Sequence, residues 1–193
     1  LFVVNALYLL MYENLPNIPD SSDNLHQGYK RASRFDAGSF GISQSEIKAY
    51  LLESHLAFLV EARTSLNPGG SVICSIGGRV PYDILHSVFD KASYCVEELV
   101  AGFKVQKEPE EVLPGYAEAE KNGVQFDFYE YYESEKLLKE KGMKPPFTES
   151  EGNYLKELLS PLKMSATEAL KRYQEERKYV VGHTVHMMRA SPL

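Results

Sequence analysis

The run Leu66-Asn67-Pro68-Gly69-Gly70-Ser71-Val72-Ile73-Cys74-Ser75-Ile76-Gly77-Gly78 constrains this chain more than any other. Proline cannot continue a helix and glycine supplies a left-handed turn, so a helix reaching Leu66 must stop there. The apolar, β-branched stretch 71–76 is closed by glycines at both ends and reads as a fully buried strand. A helix that passes through so short a turn into a buried strand needs helices covering both faces of a sheet. That is an α/β arrangement.

The flanking segments extend this reading. Residues 44–66 carry Ile47, Leu51, Leu52, Leu56, Leu59 and Val60 at helical spacing and predict one helix. Pro81 opens a second helix to about Lys91, with Ile84, Leu85, Val88 and Phe89 inward. Residues 95–105 read as a strand interrupted at Gly102, and 108–121 as a short acidic helix. Residues 124–131 alternate apolar and polar like a half-buried strand. Residues 133–141 and 165–178 are helical by propensity, with Pro145-Pro146 between them, and 179–189 form a last strand. The apolar stretch 1–11 is too short to span a membrane and reads as a buried strand or core helix, ended by Pro16 and Pro19. The chain opens on Leu1 without Met, as expected for a piece of a longer polypeptide.

Composition narrows the function. A net charge of −6 argues against broad, charge-driven nucleic-acid binding. Cys74 and Cys95 alone build neither a disulfide framework nor a four-ligand zinc site, which suits a reduced, cytoplasmic setting.

In open sheets of this kind ligands sit outside the carboxyl ends of the strands, here Ser75 to Arg79. Gly77 and Gly78 permit close approach of backbone to a ligand, and Arg79 offers a planar fork for a carboxylate. The competing reading is a tight turn that carries a surface arginine. His183 and His186, three apart on a strand, face opposite sides and cannot share a metal. Phe126, Phe128, Tyr129, Tyr131 and Tyr132 can cage a sulfonium, but their alternation favours a sheet face packed on a helix. Glu118 and Glu120 do not face each other on a helix and read as solvated. Cys74, in an apolar strand, reads as inert. Lys30-Arg31-Ala32-Ser33-Arg34 is a small exposed basic patch.

Several of these patches are similar to known ones. The helix, Leu66-Asn67-Pro68-Gly69-Gly70 and strand resemble the L-x-P-G-G element before strand five of class I AdoMet-dependent methyltransferases. Four further patches resemble the methyltransferase module of the methionine S-methyltransferases. They are Ser75-Ile76-Gly77-Gly78-Arg79-Val80-Pro81, then Glu118-Ala119-Glu120-Lys121 leading to Phe126-Asp127-Phe128-Tyr129, then Gly182 to Met188, and Leu25 to Tyr29 with Phe40-Gly41.

The resemblance implies an α/β fold: part of a Rossmann-like methyltransferase sheet, mixed, with an antiparallel final strand and C-terminal helices. Residues 1–193 would form a single domain, the C-terminal portion of a larger one. It implies S-adenosylmethionine as cofactor and direct displacement at the sulfonium methyl. The acceptor would be a small-molecule nucleophile, a thioether or an amino acid, with neither nucleic acid nor membrane as partner. The family's catalytic loop after strand four is echoed by Leu15-Pro16-Asn17-Ile18-Pro19-Asp20, which makes Asn17 and Pro19 the catalytic candidates. Asn5-Ala6-Leu7-Tyr8-Leu9 matches instead a stretch after strand two, and both placements stay open here. Gly77, Gly78 and Arg79 are the substrate-binding candidates. The family's Gly-rich AdoMet cradle and its acidic ribose ligand have no counterpart in the sequence. The alternatives are therefore a non-catalytic methyltransferase-like binding or scaffold module and an unrelated α/β domain.

Overall fold

A computed structural model of the protein describes residues 7–15, 17–18, 45–176 and 178–193. Pro19, the basic patch 30–34 and the stretch 25–41 lie outside them. In chain order the elements are β1 (Tyr8–Glu13), α1 (Ser45–Ala49), α2 (Glu53–Ser65), β2 (Leu66–Gly77), α3 (Tyr82–Lys91) and β3 (Tyr94–Val105). They continue as α4 (Pro109–Glu120), β4 (Phe128–Glu130), α5 (Tyr131–Glu140), α6 (Glu149–Leu159), β5 (Lys163–Met164), α7 (Ala166–Glu175) and β6 (Val181–Pro192).

The fold is α/β, with a mixed six-stranded sheet. β1 runs parallel to β2. The final strand, β6, is antiparallel to β2 along one edge and to β3 along the other. Past the end of β2, its first residues pair with β4. A long last strand thus knits together segments that lie far apart in sequence.

The main core packs Val72, Cys74 and Ile76 of β2 with Leu56 and Leu59 of α2 and with Val88 and Phe89 of α3. Each of these side chains is at most 2% exposed, worth roughly 1.5–3 kcal/mol apiece for the larger ones. The opposite face of β2, Ile73 and Ser75, is only half-buried, so the strand is not enclosed on both faces as its apolar run suggests. A smaller core joins Ala101 and Phe103 of β3 to Leu138 of α5 and Leu155 of α6.

Several boundaries differ from the sequence reading. The helix expected over 44–66 is two helices, broken where Leu51 takes φ 61° and closes α1 with a bond from its N–H to Lys48 O. The break lets Ile47 and Leu52 enter the same core at different angles. The Pro-Gly-Gly turn ends α2 but already belongs to β2: β1 pairs at Tyr8 with Leu66 and at Leu10 with Ser71, leaving 67–70 as an insertion in the register. In β3 the irregularity falls between Glu98 and Val100, not at Gly102. The strand expected over 124–131 shrinks to Phe128–Glu130, because Tyr131 starts α5 with the Glu130 side chain as its cap. Its aromatic residues pack inward: Phe126 and Phe128 meet Tyr116 edge-on. α6, with its Thr148–Glu151 capping box, has no counterpart in the sequence reading. β1 is a strand, but Leu7, Leu9, Leu10 and Tyr12 are exposed rather than buried. Among the described residues no helix is long and apolar enough to cross a membrane.

Candidate functional site

Parallel pairing of β1 and β2 places their carboxyl ends side by side. β1 ends at Glu13, whose buried carboxylate accepts a bond from the Leu15 N–H at 2.9 Å and lies 2.8 Å from His55 Nδ1. These contacts tie the end of β1 to Leu15 and to α2. β2 ends at Gly77 and hands over through Gly78 to Arg79, before Pro81 caps α3. A cavity of about 320 Å³ opens at this place, lined by Asn14, Asn17, Gly77, Arg79, Lys104 and His183 among others.

Arg79 is not a surface residue. It is 6% exposed and organises the cavity wall. Its Nε donates to Gln106 Oε1 at 2.8 Å, Nη1 to Asn17 Oδ1 at 3.2 Å, and Nη2 to His183 Nε2 at 2.9 Å. Its guanidinium carbon lies 5.6 Å from the centre of the Tyr116 ring. Asn17 is clamped in turn: Nδ2 donates to Gly77 O at 3.0 Å, and its carbonyl accepts from the Tyr116 hydroxyl. Gly77 is needed for this arrangement, since a Cβ there would sit 2.4 Å from Arg79 Nη1.

The state of His183 follows from its partners. Nδ1 lies 2.7 Å from the Thr184 carbonyl, which can only accept, so Nδ1 carries the proton and Nε2 accepts from Arg79. Burial holds this imidazole well below its ordinary pKa, and the charges of Arg79 and Lys104 push the same way. Lys104, exposed at the cavity, is lowered by partial desolvation and then by Arg79 and Lys107. Among the described residues that line the cavity the charged ones, Arg79 and Lys104, are both basic, in a chain whose net charge is −6.

Gly78 serves a different purpose from the expected substrate contact. Its N–H donates to Thr184 O at 2.7 Å, and a Cβ there would meet Thr184 Oγ1 at 2.1 Å and His186 Nε2 at 2.4 Å. It is packed under the site and does not line it. Beneath it, His186 Nδ1 lies 2.5 Å from Glu98 Oε1, while the Tyr82 hydroxyl donates to Glu98 Oε2 at 2.9 Å. These donors hold the Glu98 carboxyl below its ordinary range, and burial lowers His186. A neutral imidazole donating to a carboxylate satisfies both. Glu98, His186 and Thr184 have the chemical types of a catalytic triad, but at 3%, 1% and 0% exposure no substrate reaches them. They form the floor.

Of the sequence candidates, Asn17, Gly77 and Arg79 meet in one cavity, Gly78 lies below it, and Pro19 lies outside the described residues. Gln106, Lys104, His183 and Tyr116 were missed as site residues. Lys104 comes from β3, Gln106 from the residue that follows it, His183 from β6 and Tyr116 from α4, and nothing local marks them as neighbours of Arg79. His183 and His186 have separate partners, and among the described residues no group of metal-ligating side chains converges. Glu118 is solvated as expected, but Glu120 is not: it accepts from the N–H groups of Phe126, Ala166 and Thr167 and ties α4 to the start of α7. Comparison with protein-family models and with curated proteins found no match.

Proposed function

We propose that this chain is the acceptor-binding part of an AdoMet-dependent methyltransferase acting on a small molecule. The observation that carries the reading is a convergence. Asn17, from the loop after β1, and Arg79, from the turn after β2, are bonded side by side in one cavity at the carboxyl ends of a parallel strand pair. The resemblance expects a catalytic loop after strand four beside strand five, and an antiparallel final strand. β1, β2 and β6 have those relations. The chain's own task in this reading is to hold and orient the acceptor. A thioether carries no proton, so it asks for no base. The one ring nitrogen of His183 that could act as a base is already occupied by Arg79.

The described residues do not fit an AdoMet cradle. The Gly77-Gly78 passage from β2 to α3 is filled by Arg79, Thr184 and His186, so its glycines face the protein's own side chains rather than a cofactor. This favours, as the second reading, a non-catalytic binding module. Both readings go with the reduced, cytoplasmic setting that suits two unpaired cysteines.

The test uses the intact protein that carries this chain, with methyl-labelled AdoMet and pools of amino acids, thioethers and nucleic acid. Label in a small molecule, reduced by Asn17→Ala, supports the enzyme. Label in nucleic acid rejects it. No transfer, with ligand still bound in the cavity, leaves the binding module.

A further inference from the structure

We infer that the cavity takes the oxyanion of a small molecule, held by the Arg79 guanidinium with Lys104 at the rim. The inference rests on the cavity being the binding site, not on methyl transfer.

The cavity wall carries an imbalance of charge. A guanidinium stays protonated in proteins, and burying it without a counter-charge is costly. Arg79 is buried, yet its hydrogen-bond partners Gln106, Asn17 and His183 are all neutral, and no carboxylate among the described residues forms an ion pair with it. Elsewhere three other basic groups with little or no exposure lie beside acids. Lys156 lies 3.2 Å from Asp127, His55 2.8 Å from Glu13, and His186 2.5 Å from Glu98. Arg79 departs from that pattern, and it does so in the wall of a cavity. The Tyr116 ring offsets part of the cost but supplies no net negative charge.

The three bonds take one N–H from each guanidinium nitrogen and hold the side chain in place before any ligand arrives. Lys104 adds a second positive charge to the same cavity, and no Asp or Glu is among the described residues that line it. Leu15, Ile18 and Val185 give the rest of the wall an aliphatic character. A compact aliphatic molecule with one carboxylate or phosphate fits this lining.

The experiment follows backbone and arginine side-chain NMR signals of the chain during titration with sodium acetate, inorganic phosphate and acetamide. Acetamide matches acetate in shape without its charge. Saturable shifts of Arg79, Asn17 and His183 with acetate or phosphate, and none with acetamide, are the expected result. The stronger of the two anions names the class. Equal shifts with acetamide, or none with either anion, overturn the inference. Arg79→Lys keeps a charge but loses the fork and should weaken binding about tenfold or more. Should that variant not fold, Lys104→Gln at the exposed rim should still weaken it by about two- to fivefold. Unchanged affinity in every folded variant overturns the inference. Anion binding without methyl transfer sinks only the enzyme reading, and transfer to a neutral acceptor without anion binding sinks only this one.

Discussion

Arg79 Nη2 donates to His183 Nε2 at 2.9 Å across 104 residues of sequence, and that bond decides the chemistry of both side chains. Burial first, and then this bond, keep the histidine neutral with its proton on Nδ1, and the bond holds one end of the guanidinium in the cavity wall. A buried cation next to a neutral imidazole is a site prepared for a negative ligand.

Arg79→Ala should lower stability as well as binding. It orphans acceptors on Gln106, Asn17 and His183, although water entering the cavity will satisfy some of them. The expected loss is about 1–3 kcal/mol, the range for leaving buried polar groups unpaired. A solvent-facing arginine would leave stability almost unchanged. Urea unfolding of the variant distinguishes the two, and an unaltered midpoint contradicts the burial described here.

The two glycines should fail in different ways. Gly78→Ala pushes a methyl group into Thr184 and His186, which are locked in a buried network, and should cost about 1–3 kcal/mol of stability. Gly77→Ala displaces the Arg79–Asn17 contact at the edge of an open cavity. It should mainly weaken anion binding, with a smaller loss of stability. Melting temperature and anion affinity, measured on both variants, should rank them in opposite order.

Stability should fall as the pH drops below about 6.5. His183 and His186 stay neutral in the folded chain below the pH at which they protonate when unfolded, both lowered chiefly by burial. Acid therefore adds protons to the unfolded chain first. Each histidine contributes a slope of up to about 1.4 kcal/mol per pH unit, from about 6.5 down to its folded pKa. Glu98, held low by His186 and Tyr82, adds a loss of the same sign below its ordinary value of 4.5. Urea midpoints between pH 7.5 and 5 should show the decline, and His183→Gln should flatten it. A midpoint that rises on acidification would exclude neutral buried histidines.

The cysteines should react very unequally. Cys74 is 0% exposed, and burial beside Glu13 pushes its thiol far up, while Cys95 is exposed. Iodoacetamide at neutral pH should label Cys95 in the folded chain and both residues in urea, as read by peptide mass spectrometry. Fast labelling of Cys74 in the native protein would mean that β2 is not a core strand.

What the sequence alone determined is local. Pro81 opens α3, and the apolar run from Val72 to Ile76 buries one face, because each signal acts within a few residues. Pro68-Gly69-Gly70 marks the helix end only to within a few residues, since α2 stops at Ser65 and β2 already begins at Leu66. Arg79 could be suspected from an equally local signal, as a polar residue after a glycine turn at a strand end, whereas Asn17 was a candidate only through the resemblance of residues 15–20 to a methyltransferase loop. The break at Leu51 was hidden, since a continuous apolar period also describes two short helices that share one core. The end of β4 was hidden because alternation runs on through Tyr131, where the Glu130 cap turns the chain into a helix. The site as a site was decided only by tertiary structure. Parallel pairing of β1 with β2 carries Asn17 to Gly77 and Arg79. The β3–β6 ladder sets His183 opposite Lys104, and just past it the Gln106 N–H donates to Val181 O. Strand register depends on how side chains from distant segments pack together, and no window of sequence contains both partners.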